Sequence, residues 1–353
     1  MSRLSRAQTQ QRNRARVVVA AREEFTARGF RDAKIDAIAE RAELTRGAVY
    51  SNFPGKRALY LTVLAEDAEG AADLPDLDPG RTVRSALAAF ATAWLADLPL
   101  ATDHRTGPAP LGSDLLPEVL TAAAVRACFA QLTRLQAVVL AVALEGLRPA
   151  PGARLVRVAE SALTTLHGAS VLAAAAPGFV EPFDVVAGCA RLADVDLDDR
   201  WAPPHLPYAP RPRPVDEPWE PPAVLDALSG EPVRLTGDGV VTVLGLHRVG
   251  AVEEALRAAP AADVTAVLVS GEPAELLPLA RLVVADLRRC LRPAVPEGAW
   301  PRLRIVLDAT GAVAAATGTS AVSDATEAAV RVAGGRVVAR ADGHGAGHSV
   351  ASG

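Results

Sequence analysis

The sequence predicts an all-α N-terminal head and helical body over residues 1–199, then an α/β domain over residues 223–353. Three observations carry that prediction. From Val17 to Val195 apolar residues recur at helical spacing. Between 200 and 222 proline is dense, in Trp201-Ala202-Pro203-Pro204, Arg211-Pro212-Arg213-Pro214 and Glu220-Pro221-Pro222, which favours extended linker chain without a core of its own. Beyond it the period changes to short apolar runs bounded by turn residues, the pattern of buried strands alternating with helices. The chain has 353 residues, too many for one ordinary domain. Half are hydrophobic but only 4% aromatic, so Ala, Val and Leu build the core.

Element by element, residues 1–15 are a basic arm with Arg3, Arg6, Arg12 and Arg14 and almost no apolar content, either a solvated tail or an arm lying along a polyanion. Residues 16–70 hold four helices. In the first, Val17, Ala21 and Phe25 recur every four residues with Val18 beside them, and Gly29 ends it with a residue that tolerates positive φ. The second carries Ile35, Ile38, Ala39 and Ala42 on one side. After a tight turn near Glu43-Leu44, Thr45 is placed to cap a third helix running through Ser51. Pro54 stops it and Lys56 opens the fourth. Two short helices at a steep angle, the second polar-faced, are the helix-turn-helix that lays a helix in the DNA major groove.

Residues 71–199 continue as helices over about 81–98, 116–147 (one long or two stacked), 154–176 and 183–195, with a Pro/Gly-rich loop at 99–114. In the α/β domain, Val240–Leu244, Val264–Val269 and Arg304–Asp308 read as strands, with helices at Val252–Ala259 and Ala274–Leu291 between them. Ala328–Val332 and Arg336–Arg340 read as a hairpin turned by Gly334-Gly335. That order loosely resembles thioredoxin-like and peroxiredoxin-like domains. The cysteine those use would follow the first strand, where this chain has Gly245-Leu246-His247-Arg248, so thiol redox chemistry is not expected.

Charge points the same way as the helix-turn-helix. Residues 1–60 hold thirteen Arg and Lys against six Asp and Glu, a net of +7, whereas the whole chain is −4, leaving −11 for the rest. A basic end on an acidic body is an electrostatic footprint for nucleic acid.

The head resembles the tetracycline-repressor (TetR) family of bacterial transcription regulators. The resemblance rests on Val17/Ala20/Ala21/Phe25, Gly29-Phe30, Ile38-Ala39 and Tyr50/Phe53/Lys56, in order and at the family's spacing over residues 11–70. Two positions depart from it. Lys34 stands where the family has a capping Thr or Ser that touches a phosphate, leaving Asp32 as the possible cap. Glu43 stands where it has Gly, so the turn is expected to be slightly altered. The resemblance implies phosphate contacts from Thr45, Tyr50 and Lys56, with Lys34 beside them. Arg46 and Ser51 suit base edges, and Ala48 a thymine methyl. Gly47 and Ala48 allow close approach, Asn52 is counted with this DNA-binding set, and Val49 and Phe53 are expected to pack backward into the small core.

The resemblance further implies a homodimer on a pseudo-palindromic operator in double-stranded DNA, most simply a repressor released by an unknown small-molecule effector. The family's last two helices form a bundle across the two-fold axis. Here they carry Ala159, Ala162, Gly168, Ala169, Ala173, Ala187, Gly188 and Ala190, with Leu163, Leu166, Val171 and Leu172 for apolar area. Trp94, His104, Phe129 and His167 are candidates for the effector pocket. The rival is a DNA-tethered fusion in which the α/β domain is the main binding or enzymatic module.

Other chemistries find little support. Cys128, Cys189 and Cys290 lie far apart without metal spacing and read as buried, reduced thiols. His344 and His348 sit in a Gly-rich terminal stretch expected to be a solvated tail, so no metal is assigned. No phosphate loop, nucleophile elbow or convincing carboxylate pair appears; neither a cofactor nor an enzyme activity is expected. No apolar run approaches the roughly eighteen residues of a membrane span, and no signal peptide precedes the head, so a cytoplasmic protein without a membrane partner is expected.

Overall fold

A computed structural model describes residues 5–71, 78–96, 98, 111–148 and 154–353. His104, with Asp103 and Arg105, lies outside the described residues, as does Arg3.

The head begins with α1 (Arg6–Asp32), followed by α2 (Ile35–Arg41), α3 (Arg46–Tyr50) and α4 (Lys56–Gly70). From Ser5 onward the expected arm is helix. Ser5 Oγ accepts from the Gln8 amide at 3.2 Å and Gln8 Oε1 accepts from the Ser5 amide at 2.8 Å, a capping box ahead of a run of Arg, Gln and Ala free of Gly and Pro. Gly29 interrupts α1 at φ 70°, as its type suggested. The core behind the helices gathers Val17, Ala21, Phe25, Ile38, Val49 and Phe53. Tyr60 stands edge-on to Phe25 at 5.3 Å and against Phe30 at 4.9 Å.

The body comprises α5 (Val83–Leu95), α6 (Leu115–Thr121), α7 (Ala123–Gly146), α8 (Val156–Ala175) and α9 (Pro182–Arg191). The stretch 116–147 is thus two helices, separated where Ala122 turns extended at φ −130°, ψ 133°. Contrary to the reading of apolar runs, α7 is long and apolar enough to cross a membrane, by length and composition. Its apolarity is used inside the fold: Leu132, Leu135, Val138, Leu140 and Leu144 are buried in the main core.

The last region is built from β1 (Arg213–Pro218), β2 (Val224–Asp226), β3 (Glu231–Val233), β4 (Gly239–Gly245), α10 (Val252–Ala258), β5 (Val264–Val269), α11 (Pro273–Ala294), β6 (Leu303–Leu307), α12 (Ala312–Ala316), β7 (Glu327–Ala333), β8 (Arg336–Asp342) and α13 (Ala346–Ser352). A six-stranded sheet runs β1-β8-β7-β4-β5-β6, parallel from β4 to β6 and antiparallel from β4 through β7 and β8 to β1. Its middle strands β4 and β5 are buried on both faces, which is why they read as unbroken apolar runs.

Two expectations for this region fail. The Pro-rich stretch contains β1, and Trp219 just after it is buried, its indole N–H donating to the Leu235 carbonyl. Pro214 and Pro218 are compatible with a strand because β1 lies at the sheet edge, where a missing N–H costs little. The Gly-rich C-terminal stretch is not a solvated tail either. Gly345, at φ 85°, turns the chain into α13, whose Ala346, Val350 and Ala351 are buried.

The body and the α/β region share one core, because α11 lies among α4, α5 and α7. Leu282 of α11 enters the head core, Arg57 of α4 pairs with Glu275 at 2.5 Å, and Gln136 of α7 donates to the Val283 carbonyl at 3.3 Å. Farther along, Arg257 forks onto Glu145 at 2.5 and 2.9 Å.

Candidate nucleic-acid interface

The turn between α2 and α3 keeps the geometry that glycine would favour. Glu43 sits at φ 50°, and its carboxylate accepts from Arg16 of α1 at 2.6 Å. The Glu43 departure therefore leaves the turn's left-handed backbone intact, at the steric cost of a side chain there. Thr45 caps α3 as expected, its Oγ1 accepting from the Ala48 amide at 3.2 Å. At α2 the cap differs. Lys34 is the N-cap without a side-chain bond, and Asp32 does not serve. Instead Glu24, a nearly fully buried carboxylate of α1, receives the Lys34 amide at 3.5 Å, with Arg28 at 3.2 Å and Arg41 at 3.5 Å neutralising it. Only the i,i+4 pairing of Glu24 with Arg28 was visible in the sequence.

Val49 and Phe53 are buried, which fixes the rotation of α3 and turns Thr45, Arg46, Gly47, Tyr50 and Ser51 outward, with Ala48 half-exposed and Lys34 exposed at the start of α2. The Arg46 guanidinium lies 5.6 Å from the Tyr50 ring centroid and 3.4 Å from Asp36, an exposed pair that holds the fork without burying it. Ser51 donates its hydroxyl proton to the Ala48 carbonyl at 2.9 Å, leaving its oxygen as an acceptor.

Two members of the expected set are engaged inside the head. Asn52 donates from Nδ2 to the Ala48 carbonyl at 2.7 Å, and its buried Oδ1 has no partner among the described residues. Its own carbonyl receives Arg14 at 2.9 Å, and that guanidinium covers the Phe53 ring at 4.2 Å. Asn52 thus closes α3 rather than facing outward, because the chain must turn there to bring Phe53 into the core. Lys56 donates to the Arg31 carbonyl at 3.0 Å over the Phe30 ring at 4.7 Å, clamping the end of α1, and burial lowers its ammonium below the usual lysine range. Its other two donor directions meet no acceptor among the described residues.

The effector candidates that can be placed come together. Trp94 donates its indole N–H to Ser170 Oγ at 3.0 Å, and His167 stands edge-on to Trp94 at 4.9 Å and to Phe129 at 5.9 Å. They form a partition rather than the wall of one pocket. Trp94 borders a cavity of about 420 Å³ that also touches Leu64, Leu282 and Cys290. Phe129 and His167 border another, of about 680 Å³, with Arg134 and Glu160. Burial lowers the His167 pKa, and its Nε2 is buried without a partner among the described residues. Burial likewise pushes the Cys128 and Cys189 thiols up, to about 12 and about 11, and all three cysteines are buried. His344 lies 4.0 Å from Glu327 and 4.9 Å from the His205 ring, tilted at 59° to it, and no metal-binding cluster occurs among the described residues.

The small residues of α8 and α9 divide into two sets. Ala159, Ala162, Ala169 and Ala173, with Leu163 and Leu166, are buried within the protomer and pack its own helices, contrary to their assignment to a two-fold interface. Gly168, Val171, Leu172, Phe179, Phe183, Ala187 and Gly188 are exposed, Phe183 by 84%.

Residues 17–63 match the family model for bacterial regulatory proteins of the tetR family. The chain is 45% identical over 65 residues to the HTH-type transcriptional regulator SrpR of Pseudomonas putida, covering 18% of this chain and 30% of that protein. It is 50% identical over 52 residues to the uncharacterized HTH-type transcriptional regulator TtgW, also of Pseudomonas putida, covering 15% of this chain and 39% of that protein. The chain therefore spans well under half the length of these curated relatives. A crystal structure of a TetR transcriptional regulator from Rhodococcus sp. RHA1 is similar at 17% identity and a TM-score of 0.34, over 53% of this chain and 95% of that one.

Proposed function

From the premise that residues 17–63 are a TetR-type DNA-binding domain, we propose that the whole protein is a cytoplasmic, homodimeric transcriptional regulator, a repressor released by a small-molecule effector. The observation that carries this reading is the outward face of α3. Thr45, Arg46, Gly47, Tyr50 and Ser51 are exposed together on a short helix whose rotation is fixed by buried Val49 and Phe53. Exposed hydroxyls and a guanidinium on a helix of that kind suit a major groove, with Thr45, Tyr50 and Lys56 on phosphates and Arg46 on a guanine edge. The exposed apolar strip of Gly168, Val171, Leu172, Phe183 and Gly188 supports pairing through α8 and α9, so that two heads meet a pseudo-palindrome. Release is linkage: an effector that prefers the head spacing unsuited to the operator weakens DNA affinity by its differential binding energy.

For the α/β region we favour a regulatory, non-catalytic role. The parallel β4 and β5 beside an antiparallel hairpin are compatible with a thioredoxin-like ancestry, but Arg248 follows β4 where a cysteine would be needed and is spent on Glu327 at 2.6 Å. A tethered independent module is less favoured, since Leu282 of α11 lies in the head core.

The test is selection of bound sequences from a random duplex pool by the full chain. A palindromic consensus is expected, and Arg46→Ala is expected to weaken it by about 1–3 kcal/mol and relax one position in each half-site. Enrichment of no sequence would refute the reading.

A further inference from the structure

The geometry points to a binding site for an amphipathic carboxylate in the cavity between α11, the carboxyl end of β6 and the β2 edge, sharing a wall with the head helix α4. This deepens the regulator reading, which it rests on, by giving it an effector site outside the helical body.

The cavity is about 650 Å³, within the range of small-molecule sites. Its walls are mostly apolar, from Val224, Leu225, Ala285, Val306 and Val313, and it opens beyond the end of a parallel strand, where open α/β sheets take ligands. Four charged side chains border it, and three already have partners. The Asp308 carboxylate is buried and accepts from the amides of Ala312 at 3.0 Å and of Val313 and Ala314 at 2.9 Å. Glu69 of α4 and Arg281 of α11 pair with each other at 2.9 and 2.5 Å. The fourth, Arg288, is half-buried and forms no ion pair with any described residue.

Arg288 is held against the β2–β3 turn. Gly230 is at φ 82°, and a Cβ there would come within 2.5 Å of Arg288 Nη1. The absence of that Cβ is what lets the guanidinium lie along the cavity. A half-buried guanidinium facing an apolar space lacks one thing, a planar anion with an apolar body, and a carboxylate matches its fork in a bidentate pair.

The Glu69–Arg281 pair makes the site consequential for the head. Arg288 lies seven positions after Arg281, about two helical turns, so both lie along one face of α11. A molecule anchored on Arg288 that fills the cavity reaches the lip formed by Glu69, one residue from the end of α4, and alters how α11 grips the helix that carries the head.

Calorimetric titration of the full chain with sodium octanoate tests the site, and hydrogen exchange over residues 56–70 tests the link to the head; neither measurement involves DNA. Octanoate is expected to bind, 1-octanol to bind far more weakly, and exchange over 56–70 to change on saturation. Arg288→Leu should lower octanoate affinity about tenfold or more, as loss of a charged hydrogen-bonded pair does, and Arg288→Lys should recover part of it. Circular dichroism and thermal melting of both variants confirm that they are folded. Failure of octanoate to bind, or binding unchanged in the folded Arg288→Leu protein, overturns the site. Binding with unchanged exchange over 56–70 overturns the link to α4. If the site holds while the chain selects no DNA sequence, the regulator reading fails and the carboxylate site stands.

Discussion

Replacing Gly168 or Gly188 by leucine sets two effects of opposite sign against each other. Both glycines lie within helices, neither has a positive φ, and a Cβ at either meets nothing within 4 Å inside the protomer. Within one protomer the added Cβ therefore meets no neighbour, and the change removes the helix cost of glycine, about 0.8–1 kcal/mol. Across a two-fold axis it is the reverse. Each site occurs twice, and overpacking costs about 1–3 kcal/mol per site, so a dimer built on this face loses about 2–6 kcal/mol, roughly thirty-fold to twenty-thousand-fold in dissociation constant. The full chain is the correct material, because a body cut at residue 200 would lose α11 and expose the shared core. Sedimentation equilibrium should show the leucine variants shifted toward monomer, and urea unfolding of the dilute monomer should show them at least as stable as the parent. Operator affinity should fall with dimerisation, since each head meets one half-site. Variants that stay dimeric and bind normally would show that the contact between protomers lies elsewhere.

Three further outcomes are expected. Lys56→Ala and Tyr50→Phe should weaken specific and non-specific DNA binding alike, measured by fluorescence anisotropy across a salt series; Lys56→Ala should also shallow the salt dependence and, through loss of its bond to Arg31, cost about 1 kcal/mol of stability. Glu43→Gly relieves the left-handed backbone at φ 50° but loses only an exposed ion pair with Arg16, so the unfolding midpoint should stay level or rise; a drop of more than about 1 kcal/mol would mean that the pair holds the turn. Burial lowers the His167 pKa in the folded state, so its contribution to stability is present above the unfolded value of about 6.5 and is lost as pH falls through the lower folded value. Denaturant curves of the parent and His167→Phe at pH 7.5 and 5.5 should therefore converge or cross toward acid, and parallel curves would place the titration elsewhere.

Local patterns were enough for the head and for most of the sheet. Val17, Ala21 and Phe25 at fourfold spacing, Gly29 before Phe30, and Thr45 ahead of α3 each act within a few residues, and the helices, the glycine turn and the cap all formed as the residue types required. The runs Val240–Leu244 and Val264–Val269 and the Gly334-Gly335 turn likewise placed β4, β5 and the β7–β8 hairpin to within a residue or two. What the sequence left open depended on partners far along the chain. β1 is a strand because β8 lies beside it, with Arg213 opposite Arg340, and no local signal announces a partner that distant. Asn52 and Tyr50 belong to the same motif, yet only burial of Phe53 turned one inward and left the other exposed. Ala159 and Gly168 are both small residues of α8, and only the packed protomer buried the first and left the second free. The same holds for α11. Its apolar period requires a cover, but a period names a face and not what lies against it, and only the folded chain put Leu282 against the head and left Arg288 beside an open cavity.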